Sequence, residues 1–156
     1  MRRSWLIPLC ITLFSCTQRE SMQNYKRDVT LWYDAFNTKD PALADSILSE
    51  DWVDTPAAPG QPRGRDGMRH LIAQLTATFP DLRVTNLEIL QDGDKVTVRS
   101  EMTGTQRADF IGIPTKNRAI KIMTIDIHEF KDGKLVHTWH TEDWLSGLQR
   151  LGAFDK

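Results

Sequence analysis

The first half of the chain carries apolar residues at helical spacing. In three segments they recur at intervals of three and four, the pattern of an amphipathic helix with one buried face. The three stripes are Val29, Trp32, Tyr33 and Phe36; Leu43, Ile47 and Leu48; and Met68, Leu71, Ile72, Leu75 and Phe79. Asp40 and Pro41 mark the start of the second helix, since an aspartate cap often precedes a proline at the first helical position. A brief strand at Trp52 and Val53 and a loop rich in proline and glycine precede the third helix.

From Arg83 onward the apolar period changes from about four to two, which is typical of half-buried strands. Asp92-Gly93 and Asp132-Gly133 are dipeptides that favour type I′ turns, so the pattern predicts two antiparallel hairpins. Helices first and strands afterwards predict the α+β class. We expect three N-terminal helices to cover one face of a curved antiparallel sheet.

The N-terminus has the features of an export signal. Basic residues at Arg2 and Arg3 precede an apolar run that ends at Phe14 and is too short to span a bilayer. The stretch ending in Ser15-Cys16 resembles a bacterial lipobox, so we expect residues 1–15 to be removed and Cys16 to be lipidated. Residues 16–24 would be a tether and residues 25–156 the domain of an exported, membrane-anchored lipoprotein on the periplasmic or cell-surface side. Ordinary signal cleavage without a lipid is the open alternative.

Charge and cysteine usage exclude several partners. Loss of Arg2 and Arg3 would take the formal net charge from −1 to −3, whereas nucleic-acid binding draws on clustered basic residues. We therefore predict no nucleic-acid partner. No cysteine follows Cys16, and acids and histidines do not fall at ligand spacing, so the sequence predicts no disulfide and no metal site.

The second hairpin carries the candidate chemistry. If Asp132-Gly133 is a two-residue turn and the pairing continues outward without interruption, one face of the hairpin combines large apolar groups with two acids. That face holds Ile122, Thr124, Asp126, His128, Phe130, Leu135, His137, Trp139, Thr141 and Asp143. Such a mixture is typical of a cavity lining, where burial raises the pKa of a carboxyl group toward neutrality. The alternative for Asp126 and Asp143 is an exposed strand-end acid or a hydrogen-bonded structural one.

The histidines of this hairpin have plainer interpretations. His128 and His137 are predicted to face each other near the hairpin tip as a solvated cross-strand pair. His137 and His140 point to opposite faces of one strand, so they cannot bind one metal ion together.

Several short motifs follow one another along the chain. They are Phe79-Pro80-Asp81-Leu82, Gly93-Asp94, Gly104-Thr105, Phe110-Ile111-Gly112-Ile113-Pro114, Asp132-Gly133-Lys134 and the ending Trp139 to Asp143. This ordered set resembles the SnoaL-like polyketide cyclases, often called ester cyclases. The resemblance covers about Tyr25 to Phe154. It implies the cone-shaped α+β fold of the nuclear transport factor 2 superfamily, with a pocket between the helices and the concave sheet and assembly into an oligomer through the sheet.

The resemblance also implies a chemistry. Family cyclases close a ring by intramolecular aldol condensation with neither metal nor cofactor, and the general acid/base aspartate near the end of the last strand falls on Asp143. Trp139 would wall the pocket. Asp54 and Gln106 stand where family members often carry histidine, and we expect both to shape the site.

Two further residues, Trp52 and Thr141, complete the expected site together with Asp126. The leading hypothesis is a cofactor-free acid/base enzyme of the cyclase or isomerase type that acts on a small hydrophobic carbonyl compound. A non-catalytic lipoprotein that shelters such a ligand is the first alternative. The second is an interaction module that uses the outer sheet face, formed by Met123, Ile125, Ile127 and Val136, and a homo-oligomer would bury the same face.

Overall fold

The computed structural model describes residues 23–155. The predicted signal segment, Cys16 and most of the predicted tether lie outside these described residues. Within residues 23–155, no helix is both long enough and apolar enough to cross a membrane.

Four helices and five strands make up the described part of the chain. In order they are α1 (Lys26–Thr38), α2 (Pro41–Ile47), β1 (Leu48–Thr55), α3 (Arg65–Thr78), β2 (Arg83–Asp92), β3 (Lys95–Thr105), β4 (Ala119–Lys131), β5 (Lys134–Glu142) and α4 (Trp144–Leu151). The strands form one curved, unclosed sheet in the order β1-β5-β4-β3-β2. The predicted α+β class and three N-terminal helices are confirmed. The sheet is mixed, because β1 runs parallel to β5 while the other neighbours are antiparallel.

The predicted helical stripes are the buried faces of α1 and α3. Val29, Trp32, Tyr33 and Phe36 are all less than a tenth exposed, and they join one apolar core with the concave side of the sheet. Asp40 caps α2 as predicted, since its Oδ1 accepts a hydrogen bond from Ala42 N at 3.0 Å.

Asn37 fastens α1 to the edge strand β2. Its side-chain amide donates to Val84 O at 2.9 Å and accepts from Val84 N at 2.7 Å. An edge strand otherwise leaves such backbone groups unpaired, so this contact holds the helix layer over the sheet.

An extra residue in β5 changes which side chains face the helices. Asp132 and Gly133 have positive φ angles of 51° and 77°, as the predicted type I′ turn requires. The pairing then begins as expected, with Phe130 opposite Leu135, but Glu129 lies opposite His137. Val136 is therefore an unpaired bulge residue. A shift of one residue moves every later side chain of the strand to the other face.

The bulge reverses the predicted orientation of β5. Thr138 now lies opposite His128, and His140 lies opposite Asp126, so Thr138, His140 and Glu142 face the helices. The other hairpin turn is also displaced by one residue from the predicted position, because Asp92 pairs with Lys95 and the turn residues are Gly93 and Asp94.

The start of the described chain and the loop after β3 lie at opposite ends of the sheet. At one end, the first described residues meet the hairpin turns: Gln91 Oε1 accepts from Tyr25 N at 3.0 Å, and Gln91 Nε2 donates to Gln23 O at 2.7 Å. At the other end lie the loop of residues 106–118 and the C-terminal ends of β1 and β5. The 11 residues of β3 span the distance between the two ends, which is roughly 35 Å.

Candidate functional site

A cavity in two parts lies between the helices and the concave face of the sheet. The inner chamber is about 90 Å³ and is walled by α1, α3 and the sheet, and the outer chamber is about 780 Å³ and opens toward the loop of residues 106–118. The two parts share six lining residues: Asp54, Leu71, Leu75, Met102, His140 and Glu142. A largely apolar cavity of this size with a few polar groups is typical of a small-molecule site.

A histidine between two carboxylates stands where the chambers meet. His140 Nδ1 lies 2.8 Å from Glu142 Oε1, and Nε2 lies 2.9 Å from Pro56 O and 3.1 Å from Asp54 Oδ1. Only the contact with Pro56 O has hydrogen-bond alignment on that side, so Asp54 acts on the ring mainly through its charge. Asp54 Oδ2 accepts a hydrogen bond from Gln61 Nε2 at 2.9 Å, which fixes the carboxylate from the loop after β1.

The surroundings of His140 keep the ring protonated. Burial disfavours the imidazolium, but the close contact with the Asp54 carboxylate and the hydrogen bond and negative charge of Glu142 outweigh it and raise the pKa of His140 to about 10. Both ring nitrogens then donate. His140 therefore carries a positive charge at neutral pH.

Asp126 is the buried acid of the inner chamber. Its Oδ2 accepts hydrogen bonds from Tyr33 Oη at 2.9 Å and from Thr124 Oγ1 at 3.4 Å. Burial raises the pKa of Asp126 to about 6, although the hydrogen bond from Tyr33 opposes the rise. A carboxyl group with this pKa can both accept and release a proton near neutral pH.

A line of buried polar side chains continues behind Asp126. Tyr33 Oη lies 2.9 Å from His128 Nε2, His128 Nδ1 lies 3.1 Å from Thr138 Oγ1, and Trp52 Nε1 donates to Thr138 Oγ1 at 3.1 Å. The prediction of a solvated pair of His128 and His137 is wrong, because His128 is fully buried and lies opposite Thr138. Burial lowers the pKa of His128 to about 3, so its ring is neutral.

The family model of the SnoaL-like polyketide cyclases matches residues 27–151. The chain belongs to this family. None of the curated proteins matches this chain significantly. The family assignment confirms the predicted resemblance and places the domain in the nuclear transport factor 2-like superfamily.

Solved structures of similar proteins share the SnoaL-like fold over most of their length. TsrD from Streptomyces laurentii is 30% identical, covers 82% of this chain and 94% of its own, and has a TM-score of 0.76. IdmH from Streptomyces antibioticus, a proposed polyketide cyclase, is 28% identical over 83% of this chain and 99% of its own, with a TM-score of 0.72. AclR from Streptomyces galilaeus, a proposed hydroxylase, is 25% identical over 86% and 99%, with a TM-score of 0.73.

Asp143 of this SnoaL-like domain does not face the cavity, and the predicted cavity-facing position is wrong. The bulge at Val136 ends β5 with Glu142 inward, and Asp143 becomes the exposed N-cap of α4. Its Oδ1 accepts a hydrogen bond from Ser146 N at 3.1 Å. That bond lowers the pKa of Asp143, the opposite of the rise expected for a buried proton-transfer acid.

Two more predicted pocket residues lie on the outer face of the SnoaL-like sheet. Trp139 stacks on His137 with ring centroids 3.7 Å apart, and Thr141 is exposed. Both follow the register shift on β5, so the prediction that they line the cavity is wrong. They flank His140 in sequence but stand on the other side of the strand.

Gln106 and Trp52 are buried but have structural partners. Gln106 Nε2 donates to Ile113 O at 3.0 Å, and Gln106 O accepts from Thr115 Oγ1 at 3.2 Å, so this side chain and backbone hold the loop after β3 together. Trp52 packs edge-on against Trp32 in the core. Of the predicted site residues, Asp54 and Asp126 are the two that line the cavity.

The sequence pattern did not identify His140, Glu142 or Tyr33 as cavity residues. The predicted register put His140, and with it Glu142 two residues later, on the opposite face, because the bulge carries no recognisable residue pattern. Tyr33 was assigned to the core, and its hydroxyl group was the available signal, because a buried tyrosine usually finds a hydrogen-bond partner. Among residues 23–155, no group of three or more histidine, cysteine or acidic side chains is arranged to hold a metal ion.

Proposed function

We propose that this SnoaL-like domain binds a small, largely apolar carbonyl compound in its cavity and moves a proton on that compound without a cofactor. The observation that carries the proposal is Asp126, a buried carboxyl group in the inner chamber whose pKa is raised to about 6. Burial in an apolar chamber is how proteins prepare a carboxyl group for proton transfer at neutral pH.

The proposed chemistry needs two groups of the cavity. Ionised Asp126 would take a proton from a carbon next to a carbonyl group and later return a proton as the carboxylic acid. The imidazolium of His140 lines the same chamber, and its positive charge would act through space on the negative charge that develops on the carbonyl oxygen, because both of its N–H groups already donate to Glu142 and Pro56 O. Trp32, Phe36 and Val84 supply the apolar walls that would hold the carbon skeleton.

Proton transfer can be tested without knowledge of the natural substrate. We expect the protein to accelerate the exchange of α-hydrogens of 2-tetralone, a small apolar ketone, in D₂O, as followed by NMR. Asp126→Asn should lower the exchange rate by at least roughly 100-fold, because it removes the base. Asp143→Asn is the matched control and should keep the rate, since asparagine also caps a helix.

A binding measurement beside the exchange experiment separates the catalytic from the non-catalytic alternative. The neutral fluorescent probe N-phenyl-1-naphthylamine reports whether the cavity takes up an apolar compound. Probe binding with no exchange would favour the non-catalytic ligand-binding protein. Loss of exchange in Asp143→Asn but not in Asp126→Asn would return the catalytic role to Asp143, and absence of both binding and exchange would refute the proposal.

We also propose that the protein is an exported lipoprotein anchored through Cys16. The basic residues, short apolar run and lipobox-like Ser15-Cys16 support this proposal.

A further inference from the structure

The line of side chains behind Asp126 has a fixed direction. An indole N–H can only donate a hydrogen bond and a carboxylate can only accept, so Trp52 and Asp126 set the two ends. Trp52 donates to Thr138 Oγ1, which leaves the Thr138 hydroxyl proton free to point at His128 Nδ1. Tyr33 donates to Asp126 Oδ2, so its oxygen is left to accept from His128 Nε2.

This direction requires one tautomer of His128. A neutral ring carries a single proton, and the contacts on its two sides require that proton on Nε2, with Nδ1 as the acceptor. Every group between Trp52 and Asp126 then donates once and accepts once. All of these groups except Tyr33, which lies on α1, come from strands of the sheet, so α1 and the sheet jointly build the line.

We propose that Trp52, Thr138, His128 and Tyr33 form a one-way hydrogen-bond chain that positions Asp126 and makes Oδ1 the oxygen that exchanges a proton with the ligand. The inference rests on the proposed function. The hydrogen bonds that side chains of the described residues make to the Asp126 carboxyl group all end on Oδ2. Oδ1 is therefore the oxygen left to take a proton from the ligand, and Oδ2 keeps accepting from Tyr33 in both states.

The proton balance of the step is simple. The C–H bond of the ligand breaks as the O–H bond at Oδ1 forms, and the ligand keeps the electron pair. Returning the proton from Oδ1 restores the carboxylate. The chain passes no proton, so Tyr33, His128, Thr138 and Trp52 are positioning residues. Their role is to hold the plane of the carboxyl group and to stabilise its charged form.

The first test uses the unaltered, intact protein. ¹⁵N NMR of the histidine rings at neutral pH should find His128 neutral with its proton on Nε2. A proton on Nδ1, or a charged ring, would overturn the direction of the chain. The NMR measurement needs no ligand, so its result is independent of the proposed function. The expected tautomer without ketone exchange would contradict the proposed function and support the hydrogen-bond chain. Ketone exchange with the other tautomer would support the proposed function and contradict the hydrogen-bond chain.

Variants test whether the chain acts on Asp126. Tyr33→Phe removes the donor to Oδ2 and should raise the pKa of Asp126 by about one pH unit or more. A pH titration followed by the ¹³C chemical shift of the carboxyl group measures this pKa. Thr138→Val breaks two links and should move the His128 Nδ1 resonance and raise the pKa of Asp126 by a smaller amount. His140 and Glu142 also act on Asp126 and are unchanged in both variants.

Thr124→Val is the matched control for the His128 signal alone, because Thr124 is a buried threonine on β4 that makes no hydrogen bond to His128 but does donate to Asp126 Oδ2. It should leave the His128 resonances in place. If Thr138→Val folds, as judged by its amide spectrum, and moves neither His128 nor the pKa of Asp126, then the chain is only a set of core contacts and the proposal fails.

Discussion

His140 is held as a cation by two neighbouring residues. A histidine whose folded pKa lies above the unfolded value near 6.5 binds its proton more tightly in the native state. The resulting stabilisation is complete below about pH 6.5 and is lost as the pH rises through the folded pKa of about 10. The protonation of His140 in the cavity is therefore linked to the free energy of unfolding.

We expect His140→Gln to lower the free energy of unfolding at neutral pH and to flatten its decline between neutral pH and about pH 10. The reason is that glutamine cannot carry the charge that offsets Asp54 and Glu142. Urea denaturation at a series of pH values measures both effects. His70→Gln, on the exposed surface of α3, is the control. An unchanged slope in His140→Gln would show that Asp54 and Glu142 do not hold the proton.

At the level of single residues, the sequence predicted Asp126 and Asp54 as cavity residues but assigned the reactive acid to Asp143. Asp126 could be placed because β4 alternates without interruption up to its turn. Its pKa could not be assigned, because the pKa depends on how deeply the folded chain buries the carboxyl group and on the hydroxyl group of Tyr33, which reaches it from a helix 93 positions away in the chain.

At the level of secondary structure, the bulge at Val136 determines which side chains of β5 face the cavity. The turn and the first two pairs of β5 were predictable from Asp132-Gly133 and the alternation around it. An extra residue that interrupts the pairing leaves no pattern, because Val136 is an ordinary strand residue. Its effect is large all the same, since it moves Trp139 and Thr141 outward and His140 inward.

The start of α4 offers a test of the role that the structure gives to Asp143. Asp143→Ala should lower the free energy of unfolding, because Ser146 N loses its acceptor, whereas Asp143→Asn should stay close to the unaltered protein. Chemical denaturation measures both. Equal stability of the alanine and asparagine variants would argue that the cap contributes little.

At the level of the whole molecule, the outer face of the sheet remains apolar at its centre. Met123 is 48% exposed, Ile127 is 37% exposed and Val53 is 39% exposed, and all three lie on the side away from the cavity. We propose that copies of the chain associate through this face, because exposed apolar side chains on a sheet are more stable when they are covered.

A charge at the centre of this face should break the association. We expect Ile125→Asp to elute as a smaller species than the unaltered protein in size-exclusion chromatography, with an unchanged circular dichroism spectrum. Leu145→Asp places the same charge on an exposed leucine of α4 and should leave the elution unchanged. An unchanged assembly state in Ile125→Asp would exclude this face as the interface.

The two ends of the sheet give the proposed anchor an orientation. The chain enters the domain beside the hairpin turns, and the mouth of the cavity opens roughly 35 Å away at the other end. Seven residues, 16–22, can reach at most about 25 Å, which is less than the roughly 35 Å between the entry point and the mouth, so the domain cannot stand with its mouth pointing straight down onto the lipid. A protein held through Cys16 would thus turn its cavity mouth sideways or toward the aqueous compartment, where it can take up its ligand from solution or from another protein.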